Sequence, residues 1–178
     1  VDIDSSLSKL IVDKYSRELD ESQAGGSVTE LASYPLLSII KILGCEIKDV
    51  KFYSKLKGGV DIYTKGVILY DKAVATIKLG LGIKTEGNLV ISGTEGYVYV
   101  PAPWWKTDYF EIRFEDQNKN KKFFYGYEGE GLRYELQEFV SCINDKRSSS
   151  FKLSMKESIL ISDVIEMYRK GDKVTIIN

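Results

Sequence analysis

The segment Gly25 to Gly44, GGSVTELASYPLLSIIKILG, decides how the rest of the chain reads. Its two leading glycines permit a tight backbone turn. Val28, Leu31, Pro35, Leu36, Ile39, Ile40 and Leu43 then recur at the spacing of one helix face. Gly44 supplies a stop. Ser27 reads as an N-cap, with Glu30 three residues on as its capping-box partner. Pro35 lies inside the run and predicts a kink or a break. Glu30 and Tyr34 are four residues apart, so a helix places both on one face. Spacing alone leaves two readings. Either Glu30 completes the cap and Tyr34 packs, or the pair points a carboxylate and a phenol into one cleft.

Upstream, residues 1–12 alternate and end in an apolar cluster, which predicts a strand. Residues 13–24, DKYSRELDESQA, are polar and without period, and read as a loop or lid. Downstream of Gly44 come EIKDVKFYSKL, VDIYTKGVILY, AVATIKLGL, NLVISG, GYVYV, DYFEIRFED and KKFFYGY. Most alternate with period two and are rich in Val, Ile, Tyr and Phe. Glycine-rich turns separate them, so the strands pair mostly antiparallel. Two helices follow. Residues 132–145 place Leu132, Leu136, Phe139, Val140 and Ile143 on one face. Residues 154–170 open with Ser154 and Glu157, a second capping box. One strand, a helix, many strands and two helices make an α+β chain, a broad, open, mostly antiparallel sheet with helices packed on one face.

At 178 residues the chain is long enough for one good core and short for two, so residues 1–178 are expected to form a single domain. Lys and Arg total 25 against 26 for Asp and Glu. That balance gives no general pull toward nucleic acid or an anionic membrane. No apolar run approaches the roughly 20 residues that span a bilayer. Histidine is absent, which removes His-based nucleophile activation and His metal sites. Cys45 and Cys142 stand too far apart for a metal-ligand motif and read as free buried thiols of a reduced cytoplasm. Proton chemistry therefore falls to carboxylates, Tyr, Lys or Cys. Val1 follows no charged or apolar leader, and the opening reads as a piece cut from a longer chain.

Three stretches imitate functional motifs. GLGIKTEG, residues 80–87, starts like a dinucleotide loop, but its third glycine is misplaced and no helix pattern follows. GYEGEG, residues 126–131, precedes a helix, yet its two glutamates would repel an anion. PAPWW, residues 101–105, is a bulky aromatic corner of the kind found in cores and subunit interfaces.

RELDESQAGGSVTELASYP, residues 17–35, resembles a signature of the glucose–fructose oxidoreductase / inositol dehydrogenase family. There an Arg precedes a glycine run, followed by an acid and then a His or Tyr. Arg17, Gly25, Gly26, Glu30 and Tyr34 occupy those places, and Tyr34-Pro35 resembles the dihydrodiol dehydrogenase-like branch. GTEGYVYVPAPWW, EGEGLRYELQEFVSCI and LSMKESILISDVIEMYR resemble three further family motifs in the same order. The resemblance implies a C-terminal substrate-binding and oligomerisation domain whose N-terminal Rossmann partner lies upstream and is absent from this chain. It implies an NAD(P)-dependent oxidoreductase of a sugar, cyclitol or related hydroxy compound, with this half inactive alone. NAD or NADP would be bound mainly by the absent half. Tyr34 and Glu30 become the implied catalytic residues. Arg17, Trp104 and Trp105 become substrate-binding residues, with Tyr125 at the border. The sheet face that helices do not cover needs a partner, which predicts a homodimer through it. Glu30 stands where the family has Asp, and Ala24 and Ala32 replace glycines. Those departures keep a second reading open, a binding or regulatory module that retained the fold and lost the chemistry. A stand-alone hydrolase finds no nucleophile–base pair.

Overall fold

A computed structural model describes all residues, Val1–Asn178. Nine strands form one sheet. In chain order they are β1 (Asp2–Ser8), β2 (Asp49–Lys57), β3 (Val60–Leu69), β4 (Val74–Gly80), β5 (Leu89–Ser92), β6 (Gly96–Val100), β7 (Tyr109–Phe114), β8 (Lys121–Phe124) and β9 (Val174–Ile176). Their spatial order is β8-β7-β6-β5-β1-β4-β3-β2-β9. Six of the eight pairings are antiparallel, and β1–β4 and β2–β9 are parallel. The sheet is therefore mixed but mainly antiparallel, as the short turns require.

Period-two alternation sorts the faces. Ile3, Ser5 and Leu7 of β1 stand opposite Ala75, Ile77 and Leu79 of β4 on the helix side. Asp4, Thr76, Lys78, Lys65, Lys51, Tyr53, Tyr97 and Glu111 belong to the other face, which no helix covers. On the covered side lie α1 (Ser27–Leu31) and α2 (Ser33–Leu43). They pack on β1, β3 and β4, and α4 (Met155–Arg169) packs against both helices. Val28, Leu36, Ile39 and Phe52 are sealed in one cluster with Ile3, Ile68, Ile77, Leu79 and Leu81. Each such side chain contributes about 1.5–3 kcal/mol by leaving water.

The break between α1 and α2 falls at Ala32, three residues before Pro35. Pro35 has no N–H for the Leu31 carbonyl, and its ring crowds that turn. Ala32 keeps helical angles, so the helix bends without changing its face. Gly44, with φ +85°, ends α2. Ser154 and Glu157 form the expected capping box at α4, and Glu157 also reaches Lys41 of α2 at 2.8 Å.

Three expectations need correction, and two elements add to the reading. Ser27 is not the N-cap of α1. That place belongs to Gly26, and the Ser27 hydroxyl and the Glu30 carboxylate turn to other partners. The first strand ends at Ser8; beyond it only the Lys9 and Ile11 amides bond to Gly80 and Leu81, an irregular continuation. The polar loop 13–24 winds into two single 3-10 turns, Arg17–Leu19 and Glu21–Gln23. Strand β9, only three residues long, is too short to show a period. The helix α3 (Gly131–Asn144) forms where the pattern places it, but it buries no residue. Its apolar face, Leu132, Leu136, Phe139, Val140 and Ile143, is more than half exposed throughout.

That contrast yields a stability test. Leu36 is fully buried, and Leu36→Ala is expected to cost about 2–5 kcal/mol in urea unfolding. Leu136→Ala on the open face of α3 is expected to change stability by less than about 0.5 kcal/mol.

Candidate functional site

The site begins at the turn the two glycines make. Gly25 N–H donates to the Asp20 carbonyl and Gly26 N–H to the Glu18 carbonyl, both at 2.9 Å. A Cβ on Gly25 would stand 2.6 Å from the Glu18 carbonyl oxygen and 2.9 Å from that of Arg17. Gly26 has φ +120°, and a Cβ there would collide with the Asp61 carboxylate. The backbone thus threads between the Arg17–Leu19 turn on one side and Asp61 on the other. No side chain fits either position.

This threading brings Arg17 over α1. Its two terminal nitrogens donate to the two Glu30 oxygens at 2.7 Å each, a bidentate pair. The Glu30 bond is the main reason the Arg17 guanidinium titrates above its ordinary value. The Glu side chain has the reach for this contact. One turn on, Tyr34 is 51 % exposed. Because Ala32 stays helical, Glu30 and Tyr34 share a face. Arg17 and Glu30 are therefore in contact, and Tyr34 follows one turn on along the same helix side with no hydrogen bond to either.

Beneath it lies a group that periodicity did not flag. Asp61 of β3 is 4 % exposed. Its Oδ2 accepts from the Ser27 hydroxyl, from the Val28 amide at 3.1 Å and from the Thr64 hydroxyl at 2.8 Å. Ser54 and Thr64 share a hydrogen bond of 2.8 Å, and the Tyr168 hydroxyl donates to Ser54 at 3.0 Å. Asp61 so caps α1 from a strand 33 residues away. Burial pushes its carboxyl above the usual carboxylate range, and the bonds from Ser27, Thr64 and Val28 offset that only in part. The one local signal was compositional, since Asp is depleted in strand interiors.

Trp104 and Trp105 lie between β6 and β7 in the chain. Trp104 donates its indole N–H to the Ser6 carbonyl at 3.1 Å, and the Trp105 ring lies where a Cβ on Gly87 would meet it at 3.3 Å. The two rings meet edge to face, with centroids 6.0 Å apart. They brace the turn between β4 and β5 and make no hydrogen bond to Arg17, Glu30 or Tyr34. Tyr125 stacks on Phe110 at the β7–β8 edge, at 6.0 Å. The dinucleotide-like stretch 80–87 runs from the end of β4 to β5 with no helix after it. No helix is long and apolar enough to cross a membrane.

The arrangement is that of an α+β domain presenting an acid, a phenol and an arginine on one helix surface. No family model matches the chain. It is 27% identical over 169 residues to trans-1,2-dihydrobenzene-1,2-diol dehydrogenase of Oryctolagus cuniculus, covering 89% of this chain and 51% of that protein. The Homo sapiens enzyme of the same name is 24% identical over 170 residues, with 50% of it covered. The chain thus spans about half the length of the curated relatives it matches. Among solved structures it superposes on the 3-ketoreductase KijD10 of Actinomadura kijaniata, in complex with NADP and TDP-benzene, with a TM-score of 0.83. That match has 11% identity and covers 99% of this chain and 55% of the other. Aldose-aldose oxidoreductase of Caulobacter crescentus, complexed with glycerol, gives a TM-score of 0.74 at 16% identity, with 96% and 53% covered. These findings agree with the resemblance read from Arg17 to Pro35. The chain shares sequence with dihydrodiol dehydrogenases and has the fold of about half of each of these solved structures.

The turn that carries Arg17 is held by Glu18, which accepts from Lys9 and Ser16. The Lys9 bond first, then the Ser16 bond, lower its carboxyl from 4.5 to about 2. A lowered carboxylate stabilises the fold above its unfolded value and loses that contribution as pH falls through its folded value. The part of the acid-side loss of stability that falls between about pH 4.5 and about pH 2 is therefore expected to shrink in Glu18→Gln, read by thermal melts across that range.

Proposed function

We propose that this chain is the substrate-binding half of an NAD(P)-dependent oxidoreductase acting on a sugar, cyclitol or related hydroxy compound. The observation that carries the reading is the shared face of Glu30 and Tyr34 with Arg17 clamped above it, on a fold whose solved neighbours hold NADP with TDP-benzene, or glycerol. The 80–87 stretch has no helix on which to seat a pyrophosphate, so the cofactor is assigned to a preceding Rossmann half. When bound, the nicotinamide supplies or accepts the hydride.

This chain's residues do the rest. As a carbinol carbon and a carbonyl interconvert, a proton must leave or reach the oxygen. The Tyr34 phenol stands at the surface to move it. A neighbouring cation in the other half would stabilise the phenolate as the proton moves. Glu30, held by Arg17, presents a fixed carboxylate for substrate hydroxyls, and Arg17 retains three further N–H donors. Trp104 and Trp105 are proposed to border the substrate through the turn they brace.

The open apolar face of α3 supports a covering partner, and the Rossmann half is the proposed one. The uncovered sheet face carries exposed Tyr53, Tyr97 and Phe124 among Lys51, Lys65 and Lys78, which supports a homodimer through it. The free thiols Cys45 and Cys142 support a reducing compartment, the cytoplasm. Occupation of both Glu30 oxygens by Arg17 favours one alternative, a non-catalytic binding module.

Two measurements separate these readings. The 178-residue chain alone should leave NADPH fluorescence unchanged. In the longer protein that carries this chain, Tyr34→Phe is expected to lower kcat by about 10²–10⁴-fold with little change in KM. Unchanged turnover would remove the proton role from Tyr34, and absence of any dehydrogenase activity in the longer protein would favour the binding module.

A further inference from the structure

We infer that Asp61 is the positioning residue of this site: its buried carboxylate fixes the first turn of α1 and, through the Gly25–Gly26 turn, the geometry in which Arg17 grips Glu30. The inference deepens the functional reading above and rests on it for calling that surface a site.

The argument follows the bonds. Two elements supply the pair. Arg17 sits on a single 3-10 turn, which has little stability of its own. Glu30 sits in the first turn of the helix, in the five-residue segment α1 ahead of the break at Ala32. The Arg17 turn could not hold a bidentate geometry alone. The two elements are joined at Gly25–Gly26, whose amides bond back to the Asp20 and Glu18 carbonyls. The Glu30 amide itself donates to the Gly26 carbonyl at 3.0 Å, so any motion at Gly26 is passed directly to Glu30. Gly26 rests against Asp61, and the next two residues, Ser27 and Val28, donate to the Asp61 carboxylate.

No cation takes part. The groups around the carboxylate are the Ser27 and Thr64 hydroxyls and the Val28 amide, with Ser54 and the phenol of Tyr168 beyond them. A buried carboxylate without a counter-ion depends on fixed N–H and O–H donors. Three donors converge on one oxygen, and they come from α1 and β3. The carboxylate thereby sets the position of α1 relative to the sheet. An amide in its place would keep the shape, offer the oxygen without its charge, and turn an NH2 group toward the crowded Gly26 turn or toward donors.

The test uses the 15N-labelled 178-residue chain and needs no turnover, so a failure of the oxidoreductase reading leaves its answer intact. A guanidinium held by two bonds rotates slowly and gives separate Nη resonances; a free one averages. In Asp61→Asn the amides of β3 and β4 are expected to keep their exchange protection. The Val28 and Glu30 amides should lose protection at least tenfold, and the Arg17 Nη resonances should average. Tyr168→Phe, at the far end of the same buried hydrogen-bond chain, is the control. It should leave the Arg17 signature in place. If Asp61→Asn fails to fold, Ser27→Ala is read on the same signals, with loss of the signature expected. Retention of separate Arg17 resonances in Asp61→Asn, or in Ser27→Ala where that variant substitutes, overturns the inference. So does equal loss in Tyr168→Phe.

Discussion

The contact between the Asp61 carboxylate and the N-terminus of α1 is the constraint around which the site is arranged. Its energetics are not those of a stabilising ion pair. Removing a carboxylate from water costs several kcal/mol, while hydrogen bonds to a charged acceptor return about 1.5–3 kcal/mol each. The upward shift of the Asp61 carboxyl says that the first effect exceeds the second. Protonation therefore favours the folded state, and stability falls as pH rises from the ordinary carboxylate value through the raised one. What the interaction supplies is placement. It settles one helix start against one strand, and Gly25, Gly26, Arg17 and Glu30 take their positions from it.

Large parts of the fold were legible because they are local. The α2 run from Leu36 to Leu43, the Ser154–Glu157 cap and the alternation in β2 to β4 each depend on residues a few places apart. The reading failed where a local cue met a distant competitor. Ser27 and Glu30 have the spacing of a capping box, but Asp61 takes the hydroxyl and Arg17 takes the carboxylate. Their partners lie 34 and 13 residues away, beyond any window of helical spacing. Strand β9 exists only because β2 offers it an edge. Of the candidate site, Arg17, Glu30 and Tyr34 were picked out by a motif. Asp61 was visible only as an acid where a strand prefers a β-branched residue.

The uncovered surfaces have a common explanation. Helix α3 has the amphipathic pattern of a packed helix, yet its apolar side faces outward, and the far wing of the sheet carries Phe124 and Tyr125 at its exposed edge. The chain spans about half the length of the relatives it matches, and the proposed Rossmann half would cover such a face. The core under α1, α2 and α4 is complete without them, which is why the site's own scaffold is settled within this half.

The most direct test of the account is a crystal structure of the longer protein with nicotinamide cofactor and a hydroxylated substrate analogue bound. The account predicts that the Tyr34 hydroxyl lies at hydrogen-bond distance, about 2.6–3.2 Å, from the reacting oxygen, with the Arg17–Glu30 pair on the same wall of the cleft. A structure in which the cofactor faces another surface of this domain, leaving Tyr34 in open solvent, would contradict it.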